Sequence, residues 1–333
     1  MISPPTCWAS LRARADLPLA VGPAISQMRG PEPDTGMQLA LTLVSPDPVA
    51  AESAIDPVVQ ALAGLKARVK EPRPLGPGAI DLLVEAADTA GLKAAVDQAL
   101  SGQPIDFCLQ PWDGREKGLL IADMDSTIIG CECIDELADF AGVKAEVSVI
   151  TERAMRGELD FEAALRERVA MLKGLPLSVL QQAYDERVQL NAGARTLVQT
   201  MRANGAKAFL VSGGFTFFTS RVAEAAGFNA NRANHLDEAD GHLAGTVRDP
   251  ILGREAKLQA LKEEAALAGL DLSATLAIGD GANDLAMIGA AGLGVAYRAK
   301  PVVAAQAAAR VDVADLTALL YFQGYSQSDF VND

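Results

Sequence analysis

The chain has 333 residues, half of them apolar and 22% charged, with a formal net charge of -14. That length allows two domains and a sizeable core, and the composition is that of a globular protein. So acidic a chain repels nucleic acid and anionic membranes, which excludes both as general partners; it also repels phosphate at long range, so a phosphate site must be reversed locally by a metal or by placed cations.

Four cysteines, Cys7, Cys108, Cys131 and Cys133, are too few and too unevenly spaced for a disulfide framework. Cys131 and Cys133 form a C-x-C with no second pair, which argues against structural zinc. Reduced thiols in a cytoplasm are expected. No apolar run reaches the length of a membrane span, and the short one at 17–25 is interrupted by Pro18 and Pro23. The two histidines, His235 and His242, both fall in the polar stretch NHLDEADGHL, which reads as a hairpin or loop. Catalysis is thereby pushed towards carboxylates, lysine and a hard metal ion.

In chain order, residues 1–36 carry six prolines and little periodicity and read as a flexible extension. Residues 37–110 read as a small α+β unit: strands in MQLALTLVS, ARVKEPRPLG, AIDLLVEAA and PIDFCLQ, with helices in AAESAIDPVVQALAGL and TAGLKAAVDQAL. That order, βαββαβ, is ferredoxin-like. PWDGREK at 111–117 reads as a linker. From 118 to 333 the pattern alternates strand and helix. GLLIADMD, KAFLVSGG and ATLAIGDG are apolar strands with polar ends, LGVAY and VDVA are shorter strands, and helices are expected near 192–204, 216–226, 254–268, 283–290 and 301–309. The fold class is therefore α/β, an open, mostly parallel Rossmann-like sheet, in which ligands sit at the carboxyl ends of the strands. The stretch at about 133–190 exceeds what a crossover needs and is a candidate helical cap.

Three polar strand ends can carry chemistry. In DMDST, Asp123 and Asp125 stand where a strand gives way to a turn, so one can face a substrate and the other its leaving group; a polar strand end before a helix cap fits equally. Ser212 and Gly213 offer a hydroxyl and backbone N–H groups to phosphate oxygens, or make an ordinary strand-to-helix turn. Asp280, Asn283 and Asp284 offer oxygen ligands suited to Mg²⁺, or a capping turn. Lys257 in GREAKLQAL can balance charge on a phosphate, although by itself it reads as a solvated helix lysine. Arg168 breaks the apolar stripe of Phe161, Leu165 and Leu172, so it needs a partner or ligand, or else snorkels to water; Glu132 among Cys131, Cys133 and Ile134 poses the same question.

Taken together and in this order, DMDSTIIGCECIDELA, ITERAMRGELDFEAALRERVAMLKGLP, VSGGF and GDGANDLAMI resemble the haloacid-dehalogenase-like phosphatases, over about residues 118–322. The unit at 37–110 is similar, more weakly, to ACT-type domains, but SPDPVA stands where such domains carry a glycine after the first strand. The resemblance implies Mg²⁺-dependent hydrolysis of phosphoserine, the last step of serine biosynthesis, through a phosphorylated aspartate under a helical cap. It implies Asp123 as nucleophile, Asp125 as general acid and then base, and Asp123, Asp125 and Asp280 as metal site with Asp284 behind them. Ser212, Gly213, Lys257 and Asn283 would hold the phosphoryl group. Glu132 would meet the substrate ammonium and Arg168 its carboxylate, with Met155 and Phe161 lining the cap side. A homodimer is left open.

Overall fold

The computed structural model describes residues 36–155 and 158–331. The extension expected at 1–36 lies outside the described residues, Gly36 apart.

The first sheet is antiparallel throughout. Strand Met37–Val44 lies between Ala79–Ala86 and Asp106–Pro111, and Ala79–Ala86 pairs on its other edge with Arg68–Val69 and Arg73–Gly76. Side chains alternate across a strand. Leu39, Leu41 and Leu43, with Ile80, Leu82 and Val84, therefore share the face covered by Val58 and Leu62 of helix Ile55–Gly64 and by Leu92 and Val96 of helix Leu92–Ala99. This is the ferredoxin-like arrangement. The opposite face is buried too: Val44, Leu75, Ala79 and Cys108 join a core with Leu319, Tyr321 and Phe322 of helix Ala318–Phe322.

The second sheet has six parallel strands in the spatial order Ala309–Val311, Leu293–Tyr297, Thr275–Gly279, Leu119–Ala122, Lys207–Phe215 and Ala230–Asn234. Leu119–Ala122 is fully buried, as a central parallel strand must be. From it the chain builds outwards to Lys207–Phe215, then returns to Thr275–Gly279 on the other side. That reversal is the topological switch point, and it brings three polar strand ends side by side. Between Leu119–Ala122 and Lys207–Phe215 the chain inserts helices Cys133–Phe140, Lys144–Met155, Phe161–Ala170 and Ser178–Arg187 before helix Ala194–Ala203. Asp160 caps the third by accepting from the Ala163 N–H at 2.8 Å. A hairpin of strands Leu236–Ala239 and His242–Val247 turns at Asp240 and Gly241, both at positive φ as a type I′ turn requires. The hairpin packs on helix Phe161–Ala170, so the stretch read as a hairpin or loop supports the inserted helices.

Two sequence expectations change. The alanine-rich run at 301–309 suits a helix by propensity, but the helix is only Pro301–Ala304. Ala309 and Val311 pair instead with Val295 and Tyr297, which moves the last strand earlier than VDVA. The stretch at 111–117, expected as a linker, is clamped. Arg115 and Lys117 are each 7% exposed. The Lys117 ammonium donates to the carbonyls of Gly114 and Ser273, and its backbone N–H to Gln323 Oε1. The two sheets belong to one compact unit. Asp106 accepts from the backbone N–H groups of Asp312, Val313 and Ala314, and Lys93 donates to the carbonyls of Ala307 and Ala308. Among the described residues, no helix is long and apolar enough to cross a membrane.

Candidate active site

The strand Leu119–Ala122 delivers Asp123 to the switch point, where its side chain is almost fully buried. Asp123 Oδ1 accepts from the Met124 N–H at 2.8 Å and from the Lys257 ammonium at 2.8 Å. The same ammonium donates to Asp284 Oδ1 at 2.6 Å, and Asp284 Oδ2 accepts from the Gly281 N–H at 3.0 Å. Lys257 is 2% exposed, not solvated, because helix Arg254–Leu267 turns Lys257, Ala260, Leu261 and Ala265 inwards on one face. That spacing was readable as a buried stripe with a lysine in it.

Oxygens of Asp123, Asp280 and Asp284 lie within 4.8 Å of one another. Burial, and then the Asp284 charge, pushes Asp123 well above the usual carboxylate range against the pull of Lys257. Burial and Asp284 likewise raise Asp280, which accepts from Thr127 Oγ1 at 3.1 Å. Lys257 is raised although burial opposes its charge, because Asp123 and Asp284 outweigh that cost. Three hard oxygen donors around one buried ammonium leave an excess of negative charge, and this donor set fits a divalent cation.

Asp125 is held differently. Its Oδ1 accepts from the Cys133 N–H at 2.9 Å and its Oδ2 from Ser212 Oγ at 3.2 Å, and Ser212 Oγ accepts from the Gly214 N–H at 2.8 Å. Both carboxylate oxygens thus face protein donors, as do both of Asp284, whose Oδ1 and Oδ2 are taken by Lys257 and the Gly281 N–H; the oxygens that lie close together are those of Asp123, Asp280 and Asp284, without Asp125. Burial raises the Asp125 pKa despite those hydrogen bonds. The glycines here are steric necessities. A Cβ on Gly214 would stand 2.8 Å from Asp125 Oδ2, and one on Gly279 would strike the Asp284 carboxyl.

These groups floor a cavity of about 420 Å³. Ser212, Gly213, Asp280 and Asn283 line it from the sheet; Glu132, Phe161, Leu165 and Arg168 line it from the inserted helices. Glu132 Oε1 accepts from Ser126 Oγ at 2.6 Å, and Ser126 adopts a left-handed φ of 55°, a strained setting for a residue with a side chain. Loss of water to the surrounding wall, with repulsion from Asp125, lifts Glu132 to about 7; the residue stays exposed to pocket solvent, which screens part of this. Arg168 is lowered by burial, while Asp135, Glu132 and Asp125 favour its charge. Its Nε donates to the Ala164 carbonyl, and among the described residues it makes no ion pair. Phe161 lies over Gly213, where a Cβ would come within 3.0 Å of its ring. Met155 ends its helix; its side chain lies outside the described residues.

The sequence pattern of the haloacid dehalogenase-like hydrolases matches residues 120–289. The chain belongs to this family. Over 200 residues it is 51% identical to a phosphoserine phosphatase of Streptococcus thermophilus, covering 60% of this chain and 93% of that one. A solved hydrolase of the family from Salmonella enterica serovar Typhi matches with a TM-score of 0.77 at 29% identity, over 86% of this chain and 98% of that one. A probable phosphoserine phosphatase from Vibrio cholerae matches at 0.69 and 30% identity, over 87% of this chain and 88% of that one.

Sequence reading gathered the acids, Ser212, Lys257 and Arg168 around one cavity but missed four contributors. Ser126 and Thr127 sit inside DMDST, a segment weighed only for its acids, yet they hold Glu132 and Asp280. Asp135 and Lys300 also line the cavity. Lys300 follows a strand on which nothing in the pattern signals chemistry.

Proposed function

We propose that the chain is a phosphoserine phosphatase that hydrolyses O-phospho-L-serine to L-serine and phosphate with Mg²⁺, through a phosphorylated Asp123. One observation carries the reading: a cavity with a buried, over-acidic floor at the switch point has Glu132 and Arg168 on its facing wall. With a divalent cation offsetting the acids of the floor, the charges suit the substrate's phosphate there, its ammonium at Glu132 and its carboxylate at Arg168, and relatives bearing that activity in their names support the reading.

Asp123 and Asp280 would hold the ion, with Asp284 behind them fixing the Lys257 ammonium and the Gly281 N–H, and Asp125, held by the Cys133 N–H and Ser212, is kept for the proton. Bound there, Mg²⁺ supplies the positive charge that offsets repulsion between a carboxylate and a phosphate. Lys257 pins Asp123 Oδ1 and so fixes the direction of Oδ2, which among the described residues accepts no hydrogen bond and is the attacking atom. Oδ2 forms the new bond to phosphorus as the bond from phosphorus to the serine oxygen breaks. The raised Asp125 carboxyl gives its proton to that oxygen. Ser212, Asn283 and the Gly213 N–H steady the equatorial oxygens. Asp125 then removes a proton from water, whose oxygen attacks phosphorus and frees Asp123. Phe161 closes over Gly213 and excludes bulk water. Arg168 takes the substrate carboxylate in two parallel hydrogen bonds.

The test is phosphate release from phosphoserine, phosphothreonine and a set of sugar phosphates, with Mg²⁺ and with a chelator. Release from phosphoserine that the chelator abolishes is expected. Preference for a sugar phosphate, or turnover that survives chelation, would sink the reading.

A further inference from the structure

We propose that Lys300 is a phosphate-binding residue of this site. The placement is specific. Strand Leu293–Tyr297 ends, Arg298 turns the chain at a left-handed φ of 43°, and Lys300 then lines the cavity beside Asp280, Gly281 and Asn283. Its backbone is fixed from both sides. The Lys300 N–H donates to the Asp280 carbonyl at 3.2 Å, and the Lys300 carbonyl starts helix Pro301–Ala304 by accepting from Val303 and Ala304. A residue before proline is restricted to extended backbone, and Lys300 has φ -59° and ψ 147°.

Charge points to the ligand. The cavity wall carries five carboxylates, Asp123, Asp125, Glu132, Asp135 and Asp280, against two cations, Arg168 and Lys300. Arg168 is on the inserted helices, across from the acids. Lys257 lies beneath the floor with its ammonium shared between two carboxylates. Lys300 is the lining cation on the sheet side, and among the described residues it makes no ion pair. A phosphate monoester brings nearly two negative charges to a wall that otherwise repels it. An exposed ammonium on a fixed backbone, next to the strand end that carries Asp280, meets an oxygen of that group on entry and again as inorganic phosphate leaves.

The backbone contact to Asp280 survives any side-chain substitution except proline, so variants isolate the ammonium. The probe is inorganic phosphate with Mg²⁺, titrated calorimetrically into the full chain and into Lys300→Ala, Lys300→Gln and Lys300→Arg. Phosphate binding should weaken about tenfold in the alanine and glutamine variants at low ionic strength. Arginine should restore it to within about twofold, and the gap should close as salt is raised. Affinity for L-serine, which has no phosphate, should not change. An unchanged phosphate affinity in Lys300→Ala overturns the proposal, and so does a loss for serine as large as that for phosphate. The proposal rests on the site being a phosphatase site, yet the two fail separately: a wild type that binds phosphate but leaves phosphoserine intact refutes the reaction and leaves the Lys300 comparison standing.

Discussion

Two buried carboxylate clusters, one in each sheet, are treated in opposite ways. In the antiparallel sheet, Asp81 is 1% exposed and receives Arg115 through two parallel hydrogen bonds of 2.9 and 2.7 Å, Arg73 at 2.9 Å and Thr42 Oγ1 at 2.7 Å. Trp112 lies under Arg115, 4.7 Å from guanidinium carbon to ring centre. Every acid oxygen there has a cation, so the cluster is finished and does nothing but hold. In the parallel sheet, Asp123 and Asp284 share the single Lys257 ammonium, and Asp280 beside them makes no ion pair among the described residues. The second cluster is unfinished, and a charge deficit at strand ends is what a site for a cation and a phosphate needs. The chain thus spends its buried arginine on architecture and leaves the acids at its strand ends under-compensated.

The sharpest break of that comparison is one substitution in each cluster. Asp123→Asn removes the proposed nucleophile and should cut kcat by about 10⁴-fold. In the metal-free protein it should leave the unfolding midpoint unchanged or raise it, because a carboxylate held above its usual range is itself destabilising. Asp81→Asn should do the reverse: kcat kept, and stability lowered, because Arg115 is left buried without its anion. Equal loss of stability in both variants would show that the two clusters are not different in kind.

Arg115→Ala asks the same of the finished cluster from its other side. Arg73 remains, but its side chain is 52% exposed and cannot replace a buried partner. A loss of about 3–5 kcal/mol in denaturant unfolding is expected, with turnover per folded molecule preserved. A loss under 1 kcal/mol would mean that Asp81 is adequately served by Arg73 and Thr42. Smaller again is Arg168→Lys. A planar fork that grips a carboxylate with two bonds is replaced by a point charge, so KM for phosphoserine should rise by the equivalent of about 1–3 kcal/mol with kcat little changed. An unchanged KM would remove Arg168 from the substrate's carboxylate.

Much of this is legible in the sequence, and the limit has a physical cause. The three central strands of the six-stranded sheet announced themselves as apolar runs with polar ends, because a parallel strand buried on both faces has no alternation to confuse the reading, whereas the edge strand Ala230–Asn234, with few apolar residues, gave no signal. The helical spacing of Phe161, Leu165, Arg168 and Leu172 showed an apolar stripe broken by one charge, and of these Phe161, Leu165 and Arg168 line the cavity. What stayed hidden depended on partners distant in sequence. Propensity favoured helix through 301–309 until pairing with Leu293–Tyr297 overrode it, and Lys300 gained a role only because that strand lies beside Thr275–Gly279. Arg115 and Lys117 look like linker charges in PWDGREK, and only the fold shows that Asp81, Ser273 and Gln323 await them.

The smallest effect concerns Glu132, which stands at the edge of the unfinished cluster, and it has two slopes of opposite sign. Asp125, Asp280 and Asp135 face it with negative charge, Ser126 donates to it, and the Arg168 guanidinium lies across the pocket. The folded chain holds the Glu132 proton up to about 7, whereas the ordinary value is 4.5. Between those values the folded state binds more protons than the unfolded one, so its stability falls as pH rises through that window. Binding of a substrate ammonium needs the ionised form, so KM for phosphoserine should fall as pH rises through about 7. The substrate's own phosphate titrates near pH 6 and adds a slope of the same sign, so the wild-type profile alone decides nothing. Glu132→Gln separates the two. It should raise KM by up to about tenfold on the alkaline side, have little effect well below pH 7, and flatten the fall in stability. If the glutamine variant keeps both wild-type slopes, the ammonium is met elsewhere, and Glu132 is held by Ser126 for shape alone.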